Sequence, residues 1–317
     1  MAHDKDDAMV FSGSGSRGLT RQICDYLGVE ICKNETLRFS EGNIFVRILE
    51  NVRGRSVYIV QSIVYHPNAY FMELLFWIDA FKRASAASVT VVIPFFSYGK
   101  GDKKDEPRVS IRARVCADAI EAAGADRVIT MDLHAAQIQG FFRIPVDNLY
   151  GHPTLSETIK SEQIEDLVVI SPDTGFADNA RRFANYLDTS VAIGDKQRSR
   201  HDENAEILHV IGDVQGKNAV IVDDFIISGG TLADLARKLP DFGVKDIYAA
   251  VSHGVFTGRS MENIDKSPIK KVFVTNTVEG HDVALSDKIQ IVDVAPLFGE
   301  AIKRIHYRES ISAMFPT

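Results

Sequence analysis

NAVIVDDFIISGGTL, running from Asn218 to Leu232, is the stretch whose reading decides the fold. Its β-branched run from Ala219 to Val222 predicts a buried parallel strand, and the amphipathic LADLARKL after Thr231 predicts a helix. Between them lie two carboxylates and a Ser-Gly-Gly-Thr turn. Glycines at a strand-to-helix turn let backbone N–H groups converge at a helix N-terminus, where the macrodipole also favours an anion. Ile227, Ser228, Gly229, Gly230 and Thr231 therefore read as a phosphate cradle. Asp223 and Asp224, at the strand's carboxyl end, are placed to accept hydrogen bonds from sugar hydroxyls, directly or through a divalent cation. The combined reading is a sugar phosphate held at both ends; an ordinary βα turn with an Asp at its end is the plainer alternative.

A chain of 317 residues, 45% hydrophobic and 25% charged, fits two globular domains with full cores. The formal net charge of -7 gives no electrostatic footprint for nucleic acid or an anionic membrane, so an anionic ligand must be held by local groups. Cys24, Cys32 and Cys116 have no C-x-x-C spacing, which argues against a disulfide framework or zinc site and fits a reducing cytoplasm. MAHDKDDAM at the N-terminus lacks the basic-then-apolar pattern of a secretory signal and reads as a frayed tail. The longest apolar segment, 70–80, is too short to span a bilayer and is broken by Glu73 and Asp79.

Strand VYIVQS at 57–62, helix AYFMELLFWIDAFKRASA, strand VTVVIPF, helix RARVCADAIEAAGA and strand RVITMDL follow one another in a βαβαβ order. After Asp147 the alternation restarts with helix PTLSETI, strand LVVISPD, helix FADNARRFANYL and strands SVAIGDK and EILHVIGDV, ahead of the 218–232 stretch. Such alternation predicts two α/β halves divided near 148–153, each a parallel sheet covered on both faces, with ligands at the strands' carboxyl ends. Every candidate segment falls at such an end. FFSYGKGDKKD at 95–105 suits polyphosphate, although a solvated basic turn fits the same residues. Asp132 and His134 close the next strand, where a neutral imidazole can ligate a cation or can be merely structural. Asp173, in Ser171-Pro-Asp-Thr-Gly, adds another carboxylate. Asp195-Lys196-Gln197-Arg198-Ser-Arg200-His201 puts cations on a segment suited to closing over a phosphoryl or diphosphoryl transfer, or is a solvated charge cluster.

The 218–232 stretch resembles the phosphoribosyl-diphosphate (PRPP) binding motif of the type I phosphoribosyltransferase fold. Five further segments and the C-terminus carry the resemblance further: FSEGN at 39–43, ENVRG at 50–54, MELL at 72–75, EAAGADRVITMDLHAAQIQGFFRIPVDNLY at 121–150, SHGVF at 252–256 and RIHYRESISAMF at 304–315. Together they are similar, over nearly the whole chain, to the phosphate-dependent, ADP-inhibited bacterial-type ribose-phosphate diphosphokinases (PRPP synthetases).

That resemblance implies an α/β fold of two phosphoribosyltransferase-like domains, each a mainly parallel sheet flanked by helices. The first would cover 8–150, with a C-terminal helix at about 296–315 packing on it, and the second 151–295. It implies transfer of a diphosphoryl group from MgATP to the 1-hydroxyl of ribose 5-phosphate, yielding PRPP and AMP. Residues 227–231 would hold the 5-phosphate and Asp223 with Asp224 the ribose hydroxyls. Lys196 and Arg198 would stabilise the transferring group, and His134 and Asp173 match Mg²⁺-linked positions. Phe39, Glu41, Gly42 and Asn43 would receive adenine across a subunit interface, and Lys100, Gly101 and Asp102 would contact ATP. The implied assembly is a homo-oligomer built from dimers, commonly a hexamer.

Four departures from the family pattern stand out. Ile227 replaces the usual Asp, Lys100-Gly101 replaces Arg-Gln, Glu41…Asn43 replaces Asp…Glu, and Lys196-Gln197-Arg198 replaces Lys-Arg-Arg. ATP affinity is therefore the property expected to be most altered. The departures also leave open a catalytically weak or silent synthetase-like regulatory subunit, and a synthetase with another donor or acceptor.

Overall fold

The computed structural model describes residues 8–197, 206–281 and 283–315. It divides into two compact units, one comprising Met1–Tyr150, Thr277–Gly280 and Val294–Thr317, the other Gly151–Asn276 and His281–Asp293.

The first unit contains β1 (Met9–Ser12), α1 (Arg17–Leu27), β2 (Asn34–Arg38), β3 (Ile44–Ile48), β4 (Ser56–Val60), α2 (Pro67–Arg83), β5 (Ser88–Ile93), α3 (Arg112–Ala123), β6 (Arg127–Met131) and β7 (Val146–Leu149). Its sheet has the order β1-β4-β5-β6-β7, parallel throughout, while β2 and β3 form a separate antiparallel hairpin. Alternation along β4 feeds two cores. Val57 and Ile59 pack with α2 and α3, where Leu74, Trp77, Ile78 and Phe81 share one helical face. Tyr58 and Val60 face the other way, toward α1.

The second unit contains α4 (His152–Ser161), β8 (Leu167–Ser171), α5 (Ala177–Leu187), β9 (Ser190–Gln197), β10 (Glu206–Ile211), β11 (Asn218–Ile226), α6 (Gly230–Lys238), β12 (Ile247–Gly254), α7 (Ser260–Asp265), β13 (Ile269–Thr275) and β14 (Ile289–Val292). Its seven strands run β10-β9-β8-β11-β12-β13-β14, parallel except for β10 against β9. Ala219 and Ile221 of β11 enter one core and Val220 and Val222 the opposite one. This is the pattern of a strand buried on both faces.

The chain then returns to the first unit. Glu279 accepts hydrogen bonds from the amides of Gly18 (2.9 Å) and Leu19 (3.2 Å), satisfying two N–H groups at the start of α1. The final helix, α8 (Ala295–His306), lays Phe298, Ala301 and Ile302 against Val10, Tyr58 and Val60. It ends at His306, and Ser312–Met314 forms a separate 3₁₀ turn, so the helix is shorter than the 296–315 expected from sequence.

Candidate active site

Strand β11 runs to Ile226, four residues beyond the apolar run, so Asp223 and Asp224 lie within the strand and not in the turn after it. The reason is pairing: Asp223 stands opposite Val251 and Phe225 opposite His253 on β12, which holds the backbone extended after the apolar side chains stop. Helix α6 correspondingly begins at Gly230, earlier than the LADLARKL pattern indicates. Three residues, 227–229, make the connection.

That connection is braced from behind. The Thr257 amide (3.1 Å) and hydroxyl (3.2 Å) both donate to the Ile227 carbonyl, and the Asn263 side-chain amide donates to the Ser228 carbonyl at 2.8 Å. With these carbonyls engaged, the amides of Ser228, Gly229 and Thr231 donate to no acceptor among the described residues. Gly229 caps α6 with φ +70, a left-handed conformation in which a side chain is strained. Thr257 directly follows the SHGVF segment, which is the one signal that could have pointed to it; nothing in the sequence singles out Asn263.

Asp224 is buried and Asp223 half-buried. Burial, then the neighbouring Asp224 charge and more weakly that of Asp173, raises the Asp223 carboxyl well above the usual carboxylate range. Asp173 ends β8, and its Oδ1 accepts from the amides of Gly175 (2.9 Å) and Phe176 (3.1 Å). Its other carboxylate oxygen has no donor among the described residues. The cluster concentrates negative charge beside the turn, a setting for hydroxyl donors or a cation.

Three candidate segments lie in the first unit. Phe39 to Asn43 form the tip of the β2–β3 hairpin, closed by hydrogen bonds from the Phe39 amide to the Asn43 carbonyl (2.8 Å) and from the Gly42 amide to the Phe39 carbonyl (2.9 Å). Phe39 is 46% exposed, Glu41 is exposed, and Gly42 has φ +93. The Asn43 side-chain oxygen already accepts from the Ile44 amide at 2.8 Å, which leaves it one further lone pair. Lys100, Gly101 and Asp102 follow β5 at the end of a 3₁₀ turn, Ser97–Lys100, anchored by Tyr98 between the rings of Phe71 and Phe96. His134 is exposed just past β6, next to Asp132, whose φ of +40 is left-handed. The Leu133 amide donates to Asn148 at 3.1 Å and fixes this bend against β7.

Lys196 lies in β9, with its backbone in register with Ile207 of β10. Its side chain and all of Arg198 lie outside the described residues. Residues 223–231 and Asp173 are thus brought together in the second unit, whereas His134 belongs to the first.

The geometry has counterparts in known proteins. Residues 8–124 match the N-terminal domain of ribose phosphate pyrophosphokinase, and residues 201–316 match the phosphoribosyl synthetase-associated domain. The ribose-phosphate pyrophosphokinase of Caldanaerobacter subterraneus subsp. tengcongensis is 46% identical over 316 residues, covering 99% of this chain and 100% of that one. That of Clostridium tetani is 44% identical over 318 residues, covering 99% of each. The crystal structure of phosphoribosylpyrophosphate synthetase from Mycobacterium smegmatis superposes with a TM-score of 0.89 at 35% identity, covering 95% of this chain and 99% of that one. Identity of this order along the full length of both chains, on one shared fold, means that this chain belongs to the ribose-phosphate pyrophosphokinase family.

Proposed function

We propose that the protein transfers the terminal diphosphoryl group of ATP to the 1-hydroxyl of ribose 5-phosphate, giving PRPP and AMP. One observation carries the reading: a strand-to-helix turn with its carbonyls tied back and the amides of Ser228, Gly229 and Thr231 unengaged among the described residues, beside the carboxylates of Asp223 and Asp224. The amides of 227–231 bind the 5-phosphate, helped by the α6 dipole. Asp223 and Asp224 accept hydrogen bonds from the ribose hydroxyls, which offsets the cost of burying their charge.

Lys196 and Arg198 neutralise the diphosphoryl group as it moves, Lys196 as a point charge and Arg198 as a two-pronged fork. Phosphoryl transfer asks for alignment and charge neutralisation more than for covalent help. Phe39, Glu41, Gly42 and Asn43 hold adenine, and the exposed Phe39 ring fits a partner surface supplied by a dimer-based homo-oligomer, as in a hexamer. Lys100, Gly101 and Asp102 contact ATP.

Among the described residues no group of three or more His, Cys, Asp or Glu side chains is disposed to hold a metal ion. Mg²⁺ is commonly held by one or two protein ligands together with substrate phosphates and water, and Asp173, with one oxygen fixed and the other open, fits that use. His134 and Asp173 are the residues proposed for it; the cation supplies charge neutralisation on the nucleotide's phosphates.

No described helix is long and apolar enough to cross a membrane. Cys24, Cys32 and Cys116 are buried free thiols, and burial pushes Cys24 up to about 12 and Cys116 up to about 11. They fit the reducing cytoplasm.

The test is product formation by the purified protein with MgATP, ribose 5-phosphate and inorganic phosphate. Equal amounts of AMP and PRPP are expected. ATP left unconverted under these conditions would overturn the reading.

A further inference from the structure

Gly101 has φ -98 and ψ 49, a backbone open to any residue, so its lack of a side chain is not demanded by its own conformation. The demand comes from Arg112. A Cβ built on Gly101 would fall 2.5 Å from Arg112 Nε, 2.9 Å from its Cβ and 3.2 Å from its Cζ. The arginine stem and guanidinium occupy the space that any side chain at 101 would need. The backbone holds this arrangement, because the Ala113 amide donates to the Gly101 carbonyl at 3.1 Å and ties the first turn of α3 to the loop.

The charge of Arg112 is unspent. It is exposed, and neither a hydrogen bond nor an ion pair engages it among the described residues. Arg114, two residues on, differs: it pairs with Asp118 at 2.6 Å and donates to the Phe141 carbonyl at 2.8 Å. Helix stability does not account for Arg112 either. It is the first residue of α3, a helix with no acidic residue in its first turn, and the macrodipole disfavours a cation there.

We infer that Arg112 is an ATP-contacting residue, its guanidinium binding phosphate oxygens of the nucleotide held at the Lys100–Asp102 turn. The inference rests on the proposed function for the location of ATP, and it adds a residue that lies outside the turn. A guanidinium presents two parallel donors to a phosphate, which the adjacent Lys100 ammonium does not. Gly101 and Arg112 then act as one device, the glycine vacating the space and the arginine bringing the fork.

Steady-state kinetics with varied MgATP and varied ribose 5-phosphate, together with calorimetry of MgATP binding, test it. Arg112→Ala is expected to raise KM for MgATP and weaken its binding about tenfold or more, with KM for ribose 5-phosphate unchanged. Arg112→Lys is expected to recover part of the loss, because charge returns without the fork. Gly101→Gln is expected to weaken MgATP binding as well, by displacing the guanidinium. Wild-type MgATP affinity in Arg112→Ala would overturn the inference. A wild-type protein that binds MgATP but forms no AMP would overturn the proposed reaction alone, and the loss of MgATP binding in Arg112→Ala would still establish the contact.

Discussion

The turn after β11 and the turn after β5 both follow a parallel strand's carboxyl end, yet they offer an anion different things. The first presents main-chain amides, with Thr257 and Asn263 holding the carbonyls behind them. The second places the Arg112 side chain in the space that a side chain at Gly101 would take, with Lys100 adjacent in sequence. A main-chain site depends on backbone conformation more than on side-chain identity, so the proposed phosphate contact makes no demand on the Ile227 side chain. In a side-chain site, a change at one position must be matched at another. The contrast leads to the expectation that substitutions cost little at Ile227 and more at Gly101 and Arg112.

The largest expected effect lies outside both turns. Lys196→Ala is expected to lower kcat about 10²–10³-fold with ribose 5-phosphate affinity retained, since the contact proposed for it is to the transferring group. Rapid-quench kinetics beside calorimetry would separate the two; an unchanged rate would mean that the turns and the cation suffice for neutralisation.

Acid distinguishes the units that carry the turns. His152, buried at the start of α4 against Phe183 and Tyr186, is pushed down from 6.5 to about 4 by burial and then by Arg182. The unfolded chain takes up this proton near pH 6.5 and the folded chain only near 4, so protonation favours unfolding. The stabilisation is present above pH 6.5 and is lost as pH falls toward 4, on the order of 3 kcal/mol. Urea titrations at pH 7 and pH 4.5 are expected to show the second unit losing stability, with a smaller drop in His152→Phe.

Gly229→Val tests the main-chain cradle directly. A β-branched residue at φ +70 distorts the turn, and ribose 5-phosphate binding is expected to weaken about tenfold with MgATP binding unchanged. Ile227→Ala should do almost nothing: affinity for ribose 5-phosphate within about twofold of wild type, since the proposed contact is to the amide and not the side chain. A large loss there would end the distinction between the two turns.

Much of the second unit's turn was legible in the chain itself, because its information is local. An apolar run, two acids, paired glycines and a hydroxyl fall within fifteen consecutive residues, so strand, turn and helix could be read without partners. The end of β11 was not legible, because Asp223 to Ile226 are held extended by β12, and their own composition does not ask for a strand. Nor was the role of Asn263, which reaches Ser228 from 35 residues away. The vacancy at Gly101 looked like a lost side chain until Arg112 was found within it. The β2–β3 hairpin and β14 are not legible for a related reason: short strands with mixed burial lack the period that longer elements display. Resemblance to a family supplied the expected role of 39–43, which no spacing rule would have assigned, whereas His134 already stood out by its place after a strand.

Glu279 and α8 impose an order of events on the chain as it is made. A ribosome delivers all of the second unit, through Asp293, before α8 has emerged, while the face of the first sheet bearing Val10, Tyr58 and Val60 still waits for Phe298 and Ile302. The half that is synthesised first is therefore the half that is finished last. Until α8 emerges, that face is covered only in part, by α1, and docking of α8 is the step that closes it.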